Sequence, residues 1–257
     1  MIHEVFSIKE CLKRRINMTL QQEPELYKLL LQVFVYGTAY IVGGFVRDAL
    51  LDKQNRDIDI IVEIDKKILY EIIEDSGCSY DINRHGGIKL HLASFDVDIW
   101  TIDSNWAFEK GLVNLKESKK CRLECIAKGC FYNYDSLVVN IHDKSFDIHN
   151  YRSFLKNKEL DILMSSSSYK NLNPTIEANV IRAFYIKYKY GVSFSSQLKE
   201  YIFKKVLPLG VTVEDSLNKI LAVKAKYPKY NDYLDAEFIS DLKSLLKEIT
   251  NKGILLM

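Results

Sequence analysis

The stretch from Ala39 to Glu63, A-Y-I-V-G-G-F-V-R-D-A-L-L-D-K-Q-N-R-D-I-D-I-I-V-E, constrains the fold more than any other part of the chain. Tyr40 to Val42 favour a strand, Gly43-Gly44 breaks the run, and Phe45 to Leu51 places apolar residues at helical spacing around Arg47 and Asp48. Asp57 and Asp59 then alternate with Ile58 and Ile60, so a strand here turns both carboxylates to one face, about 7 Å apart at Cα. Neighbouring carboxylates resist joint ionisation unless a cation neutralises them. Oxygen-only ligands favour magnesium or manganese, and such ions keep open positions for phosphate oxygens. The glycine pair suits the same chemistry. Without side chains there, the backbone N–H groups at the start of the following helix can approach a triphosphate closely.

These residues carry a family resemblance. I-V-G-G-F-V-R-D-A-L-L followed by R-D-I-D-I-I-V resembles the head-domain motif of class II nucleotidyltransferases, the bacterial poly(A) polymerases and CCA-adding enzymes within the polymerase-β-like superfamily. The resemblance implies an α/β (α+β) head with a mixed, mainly antiparallel sheet, followed by a small helical neck, with a C-terminal part shorter than in the larger members. It also implies Asp57 and Asp59 as catalytic metal ligands and Gly43 and Gly44 as the triphosphate cradle. Arg47 either balances phosphate charge or braces the helix beside Asp48.

A second period-two run, F-D-V-D-I-W-T-I, follows the turn Arg84-His85-Gly86-Gly87 and the alternation I-K-L-H-L. It resembles the family's central strands, where a third carboxylate completes the metal site. Asp98 is the better match and Asp96, on the same face, the alternative; a solvated strand face would carry both equally well. Where the family has an arginine after the threonine, this chain has Asp103. The segment from Glu117 to Lys128 reads as charged helix or loop. Beyond it the family carries an Arg-Asp pair that contacts the incoming nucleotide, and this chain has Cys130-Phe131, with Asn133 and Asp135 as substitute polar groups or plain turn residues.

The flanks read as helices: Ser7 to Met18 with Ser7 as N-cap, a second helix from Glu23-Pro24 to Gly37, and Lys66 to Asp75. Four serines, Ser165 to Ser168, and Asn173-Pro174 mark a linker, dividing a head over 1–164, with its N-terminal helices in 7–37, from a helical neck over 165–257. In the neck, N-V-I-R-A-F-Y-I-K-Y-K-Y-G-V resembles the family's neck helix. That places Arg182 toward the nucleotide or in a structural ion pair. Helices are also expected over Val213 to Lys226 and Ala236 to Lys252.

Net charge is only +2, yet Ile181 to Tyr230 holds ten Lys or Arg against three Asp or Glu. A basic neck beside a more acidic head suits a polyanionic partner. Five cysteines form no disulfide framework, which argues for a reducing, cytoplasmic compartment and no disulfide-linked partner. No stretch has the length of a membrane span. The resemblance thus implies an enzyme that moves a nucleoside monophosphate from a nucleoside triphosphate to an acceptor hydroxyl with Mg2+ or Mn2+. The acceptor it implies is an RNA 3′ end bound through the basic neck. A small-molecule or protein acceptor, or a catalytically silent binding protein, are the competing readings.

Overall fold

Strand β1 (Thr38–Val42), helix α3 (Gly44–Leu50) and strand β2 (Asp57–Glu63) form the centre of the first of two compact units, 1–152 and 153–257. The computed structural model describes residues 2–54, 57–83, 86–114, 121–165, 175–210, 212–234 and 236–253. Helices α1 (Ile2–Gln22) and α2 (Pro24–Tyr36) precede β1. Ser7 therefore stands inside α1 and does not cap it. At the joint, Glu23 is 1% exposed and its Oε1 accepts the Ser94 N–H at 2.7 Å, which ties the helix pair to a sheet loop. Gly37 ends α2 because backbone passes there: a Cβ would lie 2.1 Å from the Glu63 carbonyl oxygen.

After β2 come α4 (Lys66–Ser76), capped by the Asp65 carboxylate on the Lys67 N–H, then β3 (Ser79–Ile82), β4 (Ile88–His91) and β5 (Asp96–Thr101). Short helices α5 (Trp106–Glu109) and α6 (Arg122–Lys128) lead to β6 (Val138–Asn140), β7 (Phe146–Asp147) and α7 (His149–Asn157). Residues 115–120, within the expected charged stretch, lie outside the described residues. The sheet has seven strands in the order β3-β4-β5-β2-β1-β6-β7. Only β2 and β5 pair in parallel, so the sheet is mixed and mainly antiparallel, as expected.

The alternation along β2 sets the two faces. Ile58, Ile60 and Val62, each at most 1% exposed, point to the side where α1, α2 and α3 supply Ile16, Leu26, Leu30 and Phe45. Each such side chain contributes about 1.5–3 kcal/mol by leaving water. On the other face, Tyr40, Val42 and Ile61 pack under Phe108 of α5 and Cys125, Ile126 and Ala127 of α6. That second cover reaches only one end of the strands. At the other end the alternation stays open, with Asp57 exposed and Asp59 half-buried.

In the second unit β8 (Glu159–Leu160) pairs in parallel with β9 (Ser193–Phe194). Around this ribbon run α8 (Ile176–Tyr190), α9 (Ser196–Val206), α10 (Val213–Lys224) and α11 (Ala236–Gly253); α8, α10 and α11 lie close to the helices expected, and α9 was not among them. Thr175, Ser195 and Thr212 cap the first three, the last through a full capping box with Asp215. Phe184 centres this core, with Phe194 and Phe238 each 5.0 Å away ring to ring. Because β8 pairs with β9, the division between the units falls within α7, ahead of the serine run; residues 166–168 of that run lie outside the described residues. Among the described residues no helix is long and apolar enough to cross a membrane.

Candidate active site

The open end of the β2 face gathers most of the predicted residues. Register places Asp59 beside Asp98 and Asp57 beside Asp96 on the parallel strands β2 and β5. Adjacent strands lie about 4.8 Å apart, so the four carboxylates form a patch two strands wide. The glycine turn closes on it. A Cβ at Gly43 would lie 3.9 Å from Asp59 Oδ2 and 3.8 Å from the Asp135 carbonyl oxygen. The turn and the carboxylates are therefore neighbours in space, as the spacing in sequence suggests.

The two glycines do different work. Gly43 has φ +68°, a conformation that strains any residue with a Cβ, and its N–H donates to the Leu137 carbonyl at 2.8 Å. It shapes the turn, and its N–H is already engaged. Gly44 opens α3, where first-turn N–H groups have no partner within the helix, so the expectation of a backbone donor narrows to Gly44 and the residues after it.

Arg47 is 14% exposed and enclosed by protein groups. Its Nη1 donates to Asp135 Oδ1 at 3.4 Å, its Nε lies 3.5 Å from Asp48 Oδ1, and its guanidinium sits 4.4 Å from the centre of the Tyr134 ring. Of the two roles open for Arg47, these contacts favour bracing of the turn. Asp135, considered as a substitute nucleotide contact, is the partner in that brace, and Asn133 is 7% exposed in the short 3-10 turn 133–135. Arg182 belongs to α8 of the second unit, where it is half-buried.

Sequence reasoning missed the cations of the patch. Lys89 and His91 on β4 stand beside Asp98 and Asp96 in register, and Lys89 Nζ lies 3.4 Å from Oδ2 of both Asp96 and Asp98. His91 bridges Asp81 Oδ2 at 2.9 Å and Asp96 Oδ1 at 3.0 Å. Burial works against the charge of Lys89, but Asp98 and then Asp96 outweigh it and raise its pKa above the ordinary lysine value. Hydrogen bonds to Asp81 and Asp96 likewise raise that of His91, and the bond from His91 lowers that of Asp96. The signal was present in I-K-L-H-L, where Lys89 and His91 are two apart; it became readable only with the β4–β5 register.

For a divalent ion, Asp57 and Asp59 offer hard oxygen donors beside the glycine turn, which fits magnesium or manganese. The third donor does not fit equally well. Asp98 is paired with Lys89, and among the described residues no three His, Cys, Asp or Glu side chains group as a metal cage.

Residues 39–143 match the family described as the poly A polymerase head domain. Solved structures of similar fold include a CCA-adding enzyme with ATP (TM-score 0.56, 20% identity, over 82% of this chain and 50% of that one). A CCA-adding enzyme with CTP gives 0.57 at 18% identity over 95% and 61%. A tRNA nucleotidyltransferase with primer tRNA and an incoming ATP analogue gives 0.52 at 18% over 81% and 58%. At these identities the likeness establishes the fold, and the chain spans between half and about three-fifths of the lengths of these proteins. No curated protein matches the chain. The patch formed by the glycine turn, Asp57, Asp59 and Asp98 lies wholly within residues 39–143, the segment that matches the poly A polymerase head domain.

Proposed function

We propose that this protein transfers a nucleoside monophosphate from a nucleoside triphosphate to an acceptor hydroxyl, most simply an RNA 3′ end, releasing pyrophosphate. The observation that carries the reading is the closeness of the Gly43 turn to Asp59, with Asp98 in register across β5. Asp57 and Asp59 would hold a magnesium or manganese ion, which when bound supplies positive charge to the reacting phosphate oxygens. Gly44 presents its backbone to the triphosphate, with the α3 N-terminus adding a favourable dipole. Arg47 keeps this turn in place against Tyr134 and Asp135. Asp98 faces the attacking hydroxyl and orients it or accepts its proton.

The similar structures that hold ATP, CTP or tRNA support a triphosphate donor and an RNA acceptor. The second unit qualifies the acceptor. Lys187 pairs with Asp241 and Lys204 with Glu200, so these two lysines of the basic surplus are neutralised within the protein. Tyr185 packs 4.6 Å from Tyr230, Tyr188 donates its hydroxyl to Asp241, and Tyr190 meets Phe154, so each of these rings has a partner within the second unit. These pairings favour the second reading, a small-molecule or protein acceptor, over what the charge surplus alone suggests. Lys199, Lys205 and Lys226 remain without an ion pair among the described residues and are the phosphate contacts an RNA acceptor would use.

The test is incubation of the purified protein with each labelled triphosphate, magnesium and total cellular RNA, beside parallel reactions containing small metabolites or protein in place of RNA. Label at RNA 3′ ends supports the proposal. Label confined to a small molecule or a protein assigns the other acceptor, and no transfer from any triphosphate contradicts the activity itself.

A further inference from the structure

Two lateral rows of charge cross the open face of the sheet. In one, Asp81, Lys89, Asp98 and Asp59 stand side by side on β3, β4, β5 and β2; in the next, His91, Asp96 and Asp57 do. Each row therefore sets acid beside acid at the β5–β2 step, with a basic residue on the far side of the β5 carboxylate. Like charges directly opposite on neighbouring strands are destabilising. Lys89 reaches both rows, because its ammonium lies equally distant from Asp96 and Asp98, 3.4 Å from each Oδ2. One ammonium is thus shared by both β5 carboxylates.

We infer that Lys89 occupies the place of an ion at the third carboxylate, so that this head binds a single divalent cation through Asp57 and Asp59 while Asp98 stays outside the metal's shell. The inference rests on the reading of Asp57 and Asp59 as metal-binding. A divalent ion shared by Asp59 and Asp98 would have to displace or approach the Lys89 ammonium, and repulsion between cations at contact distances opposes both. Asp98 with Lys89 on Oδ2 still has Oδ1 available to a hydroxyl. Lys89 is then a positioning residue: it fixes the orientation of Asp98 and supplies positive charge that neither chelators nor dilution remove. A plain exposed ion pair, worth about 0–1 kcal/mol and of no consequence for metal binding, is the competing account.

Titration with Mn2+ alone, counting bound ions by the loss of the free Mn2+ electron paramagnetic resonance signal, decides between them. The proteins are wild type, Asp59→Asn, Asp98→Asn, Lys89→Met, Lys89→Arg and the double variant Lys89→Met/Asp98→Asn, each first shown folded by circular dichroism and thermal melting. The expected result is one ion in wild type, lost in Asp59→Asn and kept in Asp98→Asn. Lys89→Met should gain a second ion, bound at least tenfold more tightly than any second ion of wild type. The double variant should lose that ion again, and Lys89→Arg should restore the wild-type count. Two ions in wild type with one lost in Asp98→Asn would overturn the inference and leave the metal reading standing. So would an unchanged count in both Lys89 variants. No bound ion in wild type or Lys89→Met would overturn both.

Discussion

Asp59 and Ile61 lie two residues apart on β2 and project from the same face of the sheet, yet Ile61 is 1% exposed and Asp59 stands half-buried beside Asp98. The difference is the cover. Helices α5 and α6 lay Phe108, Cys125, Ile126 and Ala127 over Ile61, Tyr40 and Val42, whereas Asp59, opposite Val42, stays half-buried. Period-two alternation settles which face a side chain joins. Helices arriving later in the chain settle how much of that face becomes core. One strand thereby carries both an anchor that holds the sheet and a charged patch that a highly polar ligand can reach.

The largest stability effect should fall on the covered end. Ile61→Ala removes a fully buried side chain that the surroundings cannot refill, and should cost about 3 kcal/mol in denaturant unfolding. Asp59→Asn in the same assay should be neutral or slightly stabilising, since it relieves repulsion from Asp57 and Asp98. Equal losses in both variants would dissolve the contrast between the two ends.

Gly43→Ala probes the joint between turn and patch. The nearest atoms to the new Cβ are at ordinary contact distance, 3.8 Å and 3.9 Å, so the penalty is the backbone strain at φ +68°, about 1–3 kcal/mol. Triphosphate affinity should fall as well, because relaxing that strain moves the turn away from Asp59. Wild-type stability in the variant would mean the turn adopts another conformation in solution.

How much of this was legible beforehand depended on range along the chain. The glycine turn, the Asp57–Asp59 pair and β2 are encoded within 25 consecutive residues, 39 to 63, and the alternation states them outright. Asp98 was legible as a candidate because Asp96 and Asp98 repeat the same period. Lys89 and His91 were not, since their role arises from antiparallel pairing of β4 with β5, a register that no local pattern fixes. The engagement of the Gly43 N–H by Leu137 is likewise long-range, spanning almost the whole head. In the second unit α8, α10 and α11 were expected from the sequence and α9 was not, whereas the inward packing of Tyr185 and the pairing of Lys187 depend on α11 and on the 3-10 turn 228–230. Composition registered the lysines and not their partners.

A smaller effect separates structural lysines from those open to a partner. Asp241 is held below the ordinary carboxylate value chiefly by its bond from Lys187, with burial opposing and Tyr188 assisting. Its contribution is therefore present above the unfolded carboxylate pKa, near 4, and lost as pH falls through the lower folded value. Asp241→Asn should cost about 1 kcal/mol at neutral pH, discounted for partial exposure, and thermal melting should show the gap to wild type closing below about pH 4. A gap that is constant down to about pH 2.5 would show that the Lys187 bond does not stabilise the charged form.

The smallest effect on stability is expected for Lys199, Lys205 and Lys226 replaced together by alanine. If an RNA acceptor is bound through them, the logarithmic salt slope of RNA affinity should fall by about one for each phosphate that the substitutions leave without a cation. Lys187→Ala should instead lower stability and leave the slope unchanged. A triple variant with the wild-type slope would leave these lysines as solvated helix faces and favour a small-molecule or protein acceptor.

The most direct test of the central claim is nucleotide transfer by wild type and Asp59→Asn side by side, with magnesium, labelled triphosphate and the acceptor that wild type uses, together with a melting curve for each. The account predicts an undisturbed melting temperature and a rate lower by about a thousandfold or more, equivalent to about 4 kcal/mol of transition-state stabilisation. A well-folded Asp59→Asn protein transferring nucleotide at the wild-type rate would contradict it.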